Sequence, residues 1–207
     1  MYNSAAIITN NVITGNFGCD LCPASYGRGG GIYMYGSPST ALIDHNTIAY
    51  NVADDTTWGK GGGIMLRESD AQVSYNTIHN NRAGHSAGDG GGIAVVDGEP
   101  TITDNTIEHN RAGQAVMGVG GGIYVWSGED VSIERNVIKY NQAISGVGDP
   151  VLNSRGGGIF FNGNSTAAPS ILDNQITENI ASPLGPLAGY GGGMYLDLNK
   201  DGTATVT

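Results

Sequence analysis

One tetrapeptide constrains this chain more than any other feature. Gly-Gly-Gly-Ile occurs at Gly29 to Ile32, Gly61 to Ile64, Gly90 to Ile93, Gly120 to Ile123 and Gly156 to Ile159, and Gly191-Gly192-Gly193-Met194 closes the series. Successive copies lie 29 to 36 residues apart. A second motif, Ile/Val-x-x-Asn-x-Ile-x-x-Asn, alternates with it, from Ile8, Asn11, Ile13 and Asn16 through to Ile171, Asn174, Ile176 and Asn179. Self-similarity at such a period marks one structural unit stacked on itself. The repeat runs from end to end, so residues 1–207 are read as a single domain.

Apolar residues within each unit alternate with period two, and no helical periodicity accompanies them. Each unit divides into three short strands: Ile123-Tyr124-Val125, Val131-Ser132-Ile133 and Val137-Ile138-Lys139 in the fourth copy. Strands this short need partners. Stacked in parallel on their equivalents, they align Ile32, Ile64, Ile93, Ile123, Ile159 and Met194 in one interior column. Met34, Leu66, Val95, Val125, Phe161 and Leu196 form a second. The asparagines fall where the chain turns. Asn tolerates left-handed backbone, and stacked copies can bond amide to amide along the axis. Turn chemistry is the preferred reading, and no Asn is taken as catalytic.

Glycine, 35 of 207 residues, lacks a Gly-X-Y period and comes with only 7 Pro, which excludes a collagen-like chain. A net charge of −10 with 9 Lys+Arg argues against a nucleic-acid partner. No apolar run is long enough for a membrane span, and the opening Met1-Tyr2-Asn3-Ser4 lacks the features of a secretory leader.

Together the two motifs resemble the right-handed parallel β-helix repeat, which occurs in pectate-lyase-like polysaccharide enzymes, phage tail proteins and bacterial surface proteins. The resemblance covers essentially the whole chain. It implies an all-β solenoid of about six coils of three short strands each. It implies no single activity, because one fold hosts many. The chain opens on second-strand sequence, Ala6-Ile7-Ile8, and stops on the same strand at Ala204 to Thr207. The expectation is therefore a segment of a longer solenoid, or end-to-end self-association through open strand edges.

Length variation has one source. Insertions fall between the last Asn of one unit and the next glycine run, on one side of the solenoid. They carry Trp58, Arg82, His85, Arg111, Arg155 and Tyr190 among Gly and Pro, and no catalytic string. The first holds the two cysteines, Cys19 and Cys22. A redox motif would need a βαβ context and a zinc site two more ligands. A small loop disulfide is the preferred reading, and it implies an oxidising, extracellular or cell-surface setting.

The outward residues of the first strand are unusually aromatic: Tyr33, Tyr124, Phe160 and Tyr195 in one column, Tyr35, Arg67 and Trp126 in the next. Two readings stand level: a platform for stacking sugars, or a second small core beneath the insertions. The following turn is acidic, with Glu68 level with Asp97, and Asp70 level with Glu99 and Glu129. Solvated turn carboxylates are the preferred reading, ahead of a bridging cation or a hydrolase pair. Asp104, Arg135 and Asp173 share a column, as do His79, Glu108 and Lys139, and these are read as register ladders. Asp197, Asn199 and Asp201 begin a calcium-loop pattern whose closing Glu is missing, so Ca²⁺ is a minority reading and no cofactor is certain.

Two function classes remain. The preferred one is a non-catalytic extracellular module that binds polysaccharide or a cell-surface glycan, or acts as a stalk. Its contacts are Tyr33, Tyr35, Arg67, Tyr124, Trp126, Phe160 and Tyr195, with Glu68, Asp97 and Glu99 at the rim. The alternative is a polysaccharide lyase or glycoside hydrolase acting along the same face, for which only Arg67 sits where a lyase of the resembling type would want a base.

Overall fold

Repetition at this spacing gives every strand the same strand, one turn later, as its neighbour. The computed structural model shows this arrangement over residues 5–19, 26–144, 154–164, 168–182, 189–198 and 203–207, the residues it describes. Strands pair in parallel throughout, and no helix occurs among the described residues. The first sheet stacks Ile32–Tyr35, Ile64–Arg67, Ile93–Val96, Ile123–Gly128, Ile159–Gly163 and Met194–Asp197. A seven-stranded second sheet runs from Ile7–Thr9 to Thr205–Val206, and a six-stranded third sheet runs from Val12–Thr14 to Gln175–Thr177. The expected columns are in register: Ile32, Ile64, Ile93, Ile123, Ile159 and Met194 pair in series. From Ile64 to Ile159 their side chains are fully buried, as are Ile102 and Ile133 of the second sheet and Ile107 and Ile138 of the third. Each such side chain contributes about 1.5–3 kcal/mol of hydrophobic stabilisation.

The asparagines differ from expectation. The left-handed backbone sits one residue earlier, at His45, Tyr75, Asp104, Arg135 and Asp173 on one corner and at Tyr50, Asn80, His109, Tyr140 and Glu178 on the next, with φ between 52° and 56°. That twist turns each following Asn inward. Asn105 shows the pattern. Its Oδ1 accepts the backbone N–H and the side-chain Nδ2 of Asn76, at 2.9 and 3.0 Å. Its Nδ2 donates to the Val73 carbonyl at 2.8 Å and to Asn136 Oδ1 at 3.0 Å. Two such ladders run the length of the molecule, from Asn11 to Asn174 and from Asn16 to Asn179. Their members satisfy buried backbone groups that the turning chain would otherwise orphan. One pair in each expected charge column is made: Arg135 binds Asp104 through Nε at 3.0 Å and Nη2 at 2.9 Å, and Lys139 lies 3.3 Å from Glu108.

Each coil holds more than three strands. After the second ladder Asn, the chain runs outward and returns as a further strand before the glycine run. The outward arm includes Phe17–Cys19, Val52–Asp54, Arg111–Gly113 and Gln142–Ile144, and Arg82 bridges to Val52 and Arg111. The return arm is a six-stranded sheet of Gly27–Arg28, Trp58–Lys60, Ala87–Asp89, Met117–Val119, Ser154–Arg155 and Gly189–Tyr190. The two arms lie almost backbone to backbone. A Cβ on Gly118 would sit 1.5 Å from the Ala143 carbonyl oxygen. Asp54, fully buried, ties the turn between two arms: its carboxylate accepts the backbone N–H groups of Thr56 and Thr57 at 2.8 and 2.7 Å, and that of Gly27 at 3.2 Å. Burial pushes its pKa up, but these hydrogen bonds outweigh it and hold the carboxyl below its ordinary value. Cys19 is buried on the first outward arm and disulfide-bonded; Cys22 lies outside the described residues.

Two substitutions test these packings. Asn105→Ala removes the partners of the buried Asn76 N–H and the Val73 carbonyl, so it should cost on the order of 2–6 kcal/mol at about 1–3 kcal/mol per unsatisfied group, measured by urea unfolding. Gly118→Ala should cost about 3 kcal/mol or more through backbone overlap. Gly15→Ala, with φ +68° but nothing within 4 Å of the added Cβ, should cost only about 1–2 kcal/mol from left-handed strain. Equal losses for the two glycines would show that the arms are not closely packed.

Candidate functional site

The return arm meets the outer face of the first sheet at a concave angle, because the glycine run between them bends with φ of +60° to +67° at Gly61 and its equivalents. Side chains leaving both surfaces converge. Met65, Ala94, Val119, Tyr124 and Phe160 bury one another as a second core, with Val96, Met117 and Tyr195 packed against it. The aromatic column is thus largely internal: Tyr124 is 5% and Phe160 3% exposed. Their rings stack at 5.4 Å, and Phe160 stacks on Tyr195 at 5.4 Å. The reading of this column as an open, linear groove is corrected accordingly. The insertions fold over it as a sheet, which the level alternative had allowed.

Where the two surfaces diverge, a cleft of about 580 Å³ remains open. Its floor is Val96, Tyr124, Trp126 and Phe160, and its wall is Trp58, Lys60, Asp89, Met117, Val119 and Arg155. Trp126, 45% exposed, stands 6.5 Å from Tyr124 with nearly parallel rings. Lys60 pairs with the buried Asp89, and its ammonium lies 4.8 Å from the centre of the Tyr124 ring and 5.8 Å from that of Trp58. Burial pushes the Asp89 carboxyl up in spite of Lys60. The Trp58 indole N–H helps to hold the Asp89 charge, and among the described residues it meets no acceptor at full hydrogen-bond geometry. Burial, and then the Asp89 charge, push the Tyr124 hydroxyl up, so it stays protonated. The Arg155 guanidinium lies 5.2 Å from the centre of the Tyr195 ring.

Of the ten residues expected to contact a ligand, Tyr124, Trp126 and Phe160 line this cleft, and Tyr195 backs it through Phe160. Tyr33 is 40% exposed on the first coil, and Tyr35 lies 5.6 Å beneath the Arg67 guanidinium; neither they nor Arg67 line it. Glu68 and Asp97 occupy left-handed turn positions outside the cleft, with Glu68 3.5 Å from Arg67 Nε. The backbone N–H of Glu99, also outside it, donates to Asp70 at 2.9 Å, and burial together with Asp130, Asp70 and Glu129 raises the Glu99 carboxyl. Asp197 ends the last strand of the first sheet, while Asn199 and Asp201 lie outside the described residues. Among the described residues, no group of three or more His, Cys, Asp or Glu side chains is placed to hold a metal ion.

Of the wall, sequence reasoning named Trp58 and Arg155 among the insertion residues and missed Met117, Val119 and, above all, Lys60 and Asp89. A signal existed: x-Gly-x precedes the glycine run at Tyr26-Gly27-Arg28, Trp58-Gly59-Lys60, Ala87-Gly88-Asp89 and Met117-Gly118-Val119. This is a strand whose central residue must lack a side chain.

The family model for the right-handed β-helix region matches residues 1–203. The chain belongs to the right-handed β-helix family. Comparison with curated proteins and with solved structures found no match. The β-helix identity accounts for the coils and the core, and leaves the cleft to be read from its own residues.

The raised Asp89 carboxyl has a consequence for stability. Protonation favours the folded state here. The contribution is complete below the unfolded value near 3.9 and is lost as pH rises through the raised folded value. Asp89→Asn removes this dependence. The unfolding free energy of the variant minus that of the parent, followed by urea denaturation between about pH 4 and 8, should therefore rise with pH. A flat difference would show that Lys60 fully offsets the burial of the carboxylate.

Proposed function

We propose that this β-helix is an extracellular module that binds a polysaccharide in the cleft between its first sheet and its return arm. The observation that carries the reading is the meeting of the exposed Trp126 indole with the Lys60–Asp89 pair and Arg155 in one cleft. An indole offers a flat apolar platform to the C–H face of a sugar ring. The charged groups lie within the same cleft, where they can donate to or accept from sugar hydroxyls, and Arg155, which has no ion-pair partner among the described residues, adds a cation that favours a carboxylate-bearing residue. The cleft is bounded by stacked coils, so it follows the solenoid axis, a shape suited to a polymer. The disulfide-bonded state of Cys19 supports the oxidising setting.

Binding is favoured over glycoside hydrolysis by the inventory of carboxylates. Hydrolases of either stereochemistry use two, and among the described residues lining this cleft only Asp89 carries one.

The experiment is titration calorimetry against a panel of acidic and neutral polysaccharides, with product formation followed in parallel. Trp126→Ala should weaken binding of the preferred polymer about tenfold or more, the equivalent of about 1.4 kcal/mol, with little change in melting temperature. No binding by the parent, or equal binding by the variant, would remove the basis of this reading.

A further inference from the structure

A second depression, of about 380 Å³, lies on another side of the molecule, where the corner after the third sheet meets the outward arm. Its residues come from stacked positions of successive coils. Tyr50, Asn80 and His109 are equivalent left-handed corner residues, with φ of 55° to 56°. Arg82 and Arg111 face each other across neighbouring coils, in bridge register one coil apart.

That arginine pair calls for an explanation. Like charges directly opposite on adjacent strands are destabilising, and strand neighbours lie only about 4.8 Å apart. The chain has 9 Lys+Arg against 19 Asp+Glu, so cations are scarce and carboxylates are plentiful. Arg82 is held in place: it pairs with Asp55, and its Nη1 donates to Gln114 Oε1 at 2.8 Å. Its one charge is matched. Arg111 is exposed, and among the described residues it has no ion-pair partner. The depression therefore carries an excess positive charge, on a fork of donors suited to a planar or tetrahedral oxyanion. Beside it stand rings. Tyr50 is 60% exposed, and His109 stacks on Tyr140 at 5.0 Å with 12° between their planes. The left-handed backbone at Tyr50 and His109 costs about 1–2 kcal/mol per residue and projects both side chains outward beside the arginines.

We propose that this depression is a second binding site, separate from the cleft, for an oxyanion carried on a sugar: a sulfate or carboxylate group held by Arg111 and Arg82, with the sugar ring against Tyr50. Bound oxyanion would bridge the two guanidinium groups and turn their repulsion into attraction. The site needs no residue of the first sheet, so it stands or falls independently of the function proposed for the cleft.

The test uses the full chain with dextran sulfate, polygalacturonate and unsubstituted dextran as probes, at two salt concentrations. Dextran sulfate separates sulfate from the carboxylate of polygalacturonate, and neutral dextran reports any charge-independent contact. Arg111→Gln is the variant, with Arg135→Gln, an exposed arginine on a different corner, as the control. The parent should bind at least one polyanion and not dextran. Arg111→Gln should weaken that binding about tenfold or more and flatten its salt dependence, while Arg135→Gln leaves both unchanged. Without ligand, Arg111→Gln should melt at the same temperature as the parent or slightly higher, since a like-charge contact is relieved. The polyanion should raise the melting temperature of the parent and not of the variant. The proposal is overturned if the parent binds neither polyanion, if Arg111→Gln binds as the parent does, or if Trp126→Ala abolishes the binding while Arg111→Gln retains it.

Discussion

Two rows of buried amides hold this solenoid in register. Each inward Asn bonds to the Asn one coil away and to backbone of the neighbouring coil, and the members on the central coils are almost wholly shielded from water. An unsatisfied amide at such a depth is expensive, so a slip of one residue between coils would break the ladder and expose the columns of Ile at once. Hydrophobic burial supplies most of the stabilisation of the coils, but it is tolerant of small shifts. The amide ladders are not. They fix which residue of one coil lies over which residue of the next, and every surface column inherits that alignment.

The cleft depends on a second constraint, the near contact of the two arms. The backbone approach at Gly118 brings the return strand against the outward one, and the same approach recurs at Gly27, Gly59 and Gly88. With no side chain between the arms, the return strand has all its packing on its other face. That face can only meet the outer surface of the first sheet, and the aromatic column there becomes its core. Asp54 reinforces the turn in the second coil and so fixes where Trp58 enters the wall. The coil where Ser154 replaces the glycine still places Arg155 in register with Val119, so one small side chain is accommodated without losing the wall.

These two constraints explain what could be read from the sequence and what could not. The interior columns were legible because a period of two and an exact repeat determine them locally. Ile64 must face inward whatever else the chain does. The ladder was half legible: Asn at fixed intervals suggested stacking, but the left-handed residue precedes it, at positions occupied by His45, Tyr75 or Arg135, which carry no turn signature. The outward orientation of Tyr124 and Phe160 was correct, and their exposure was undecidable from the strand alone. It depends on the return arm, which directly precedes each glycine run, folding back over them. Lys60 and Asp89 belonged to that segment, where the residues vary from coil to coil and the Gly-x-Gly-Gly-Gly spacing recurs in all coils but the one with Ser154. Trp126 stayed exposed because it lies two residues farther along, beyond the reach of the return arm.

The distribution of cations over this acidic surface gives the cleft and the second depression a common logic. Lys60, Arg67, Arg82, Arg135 and Lys139 each lie within ion-pair distance of a carboxylate. Among the described residues, Arg28, Arg111 and Arg155 do not. Two of those three lie in the two depressions, each beside an aromatic platform: Arg155 near Trp126 and Tyr195, Arg111 near Tyr50 and His109. Elsewhere the chain pairs its few cations as register devices of modest worth. A cation left unpaired among so many carboxylates gives up that local stabilisation, and what it keeps is the capacity to bind an anion from outside. In a molecule of net charge −10, long-range attraction cannot draw an acidic polymer in. Recognition would have to be short-range, at sites where ring and guanidinium meet the ligand together.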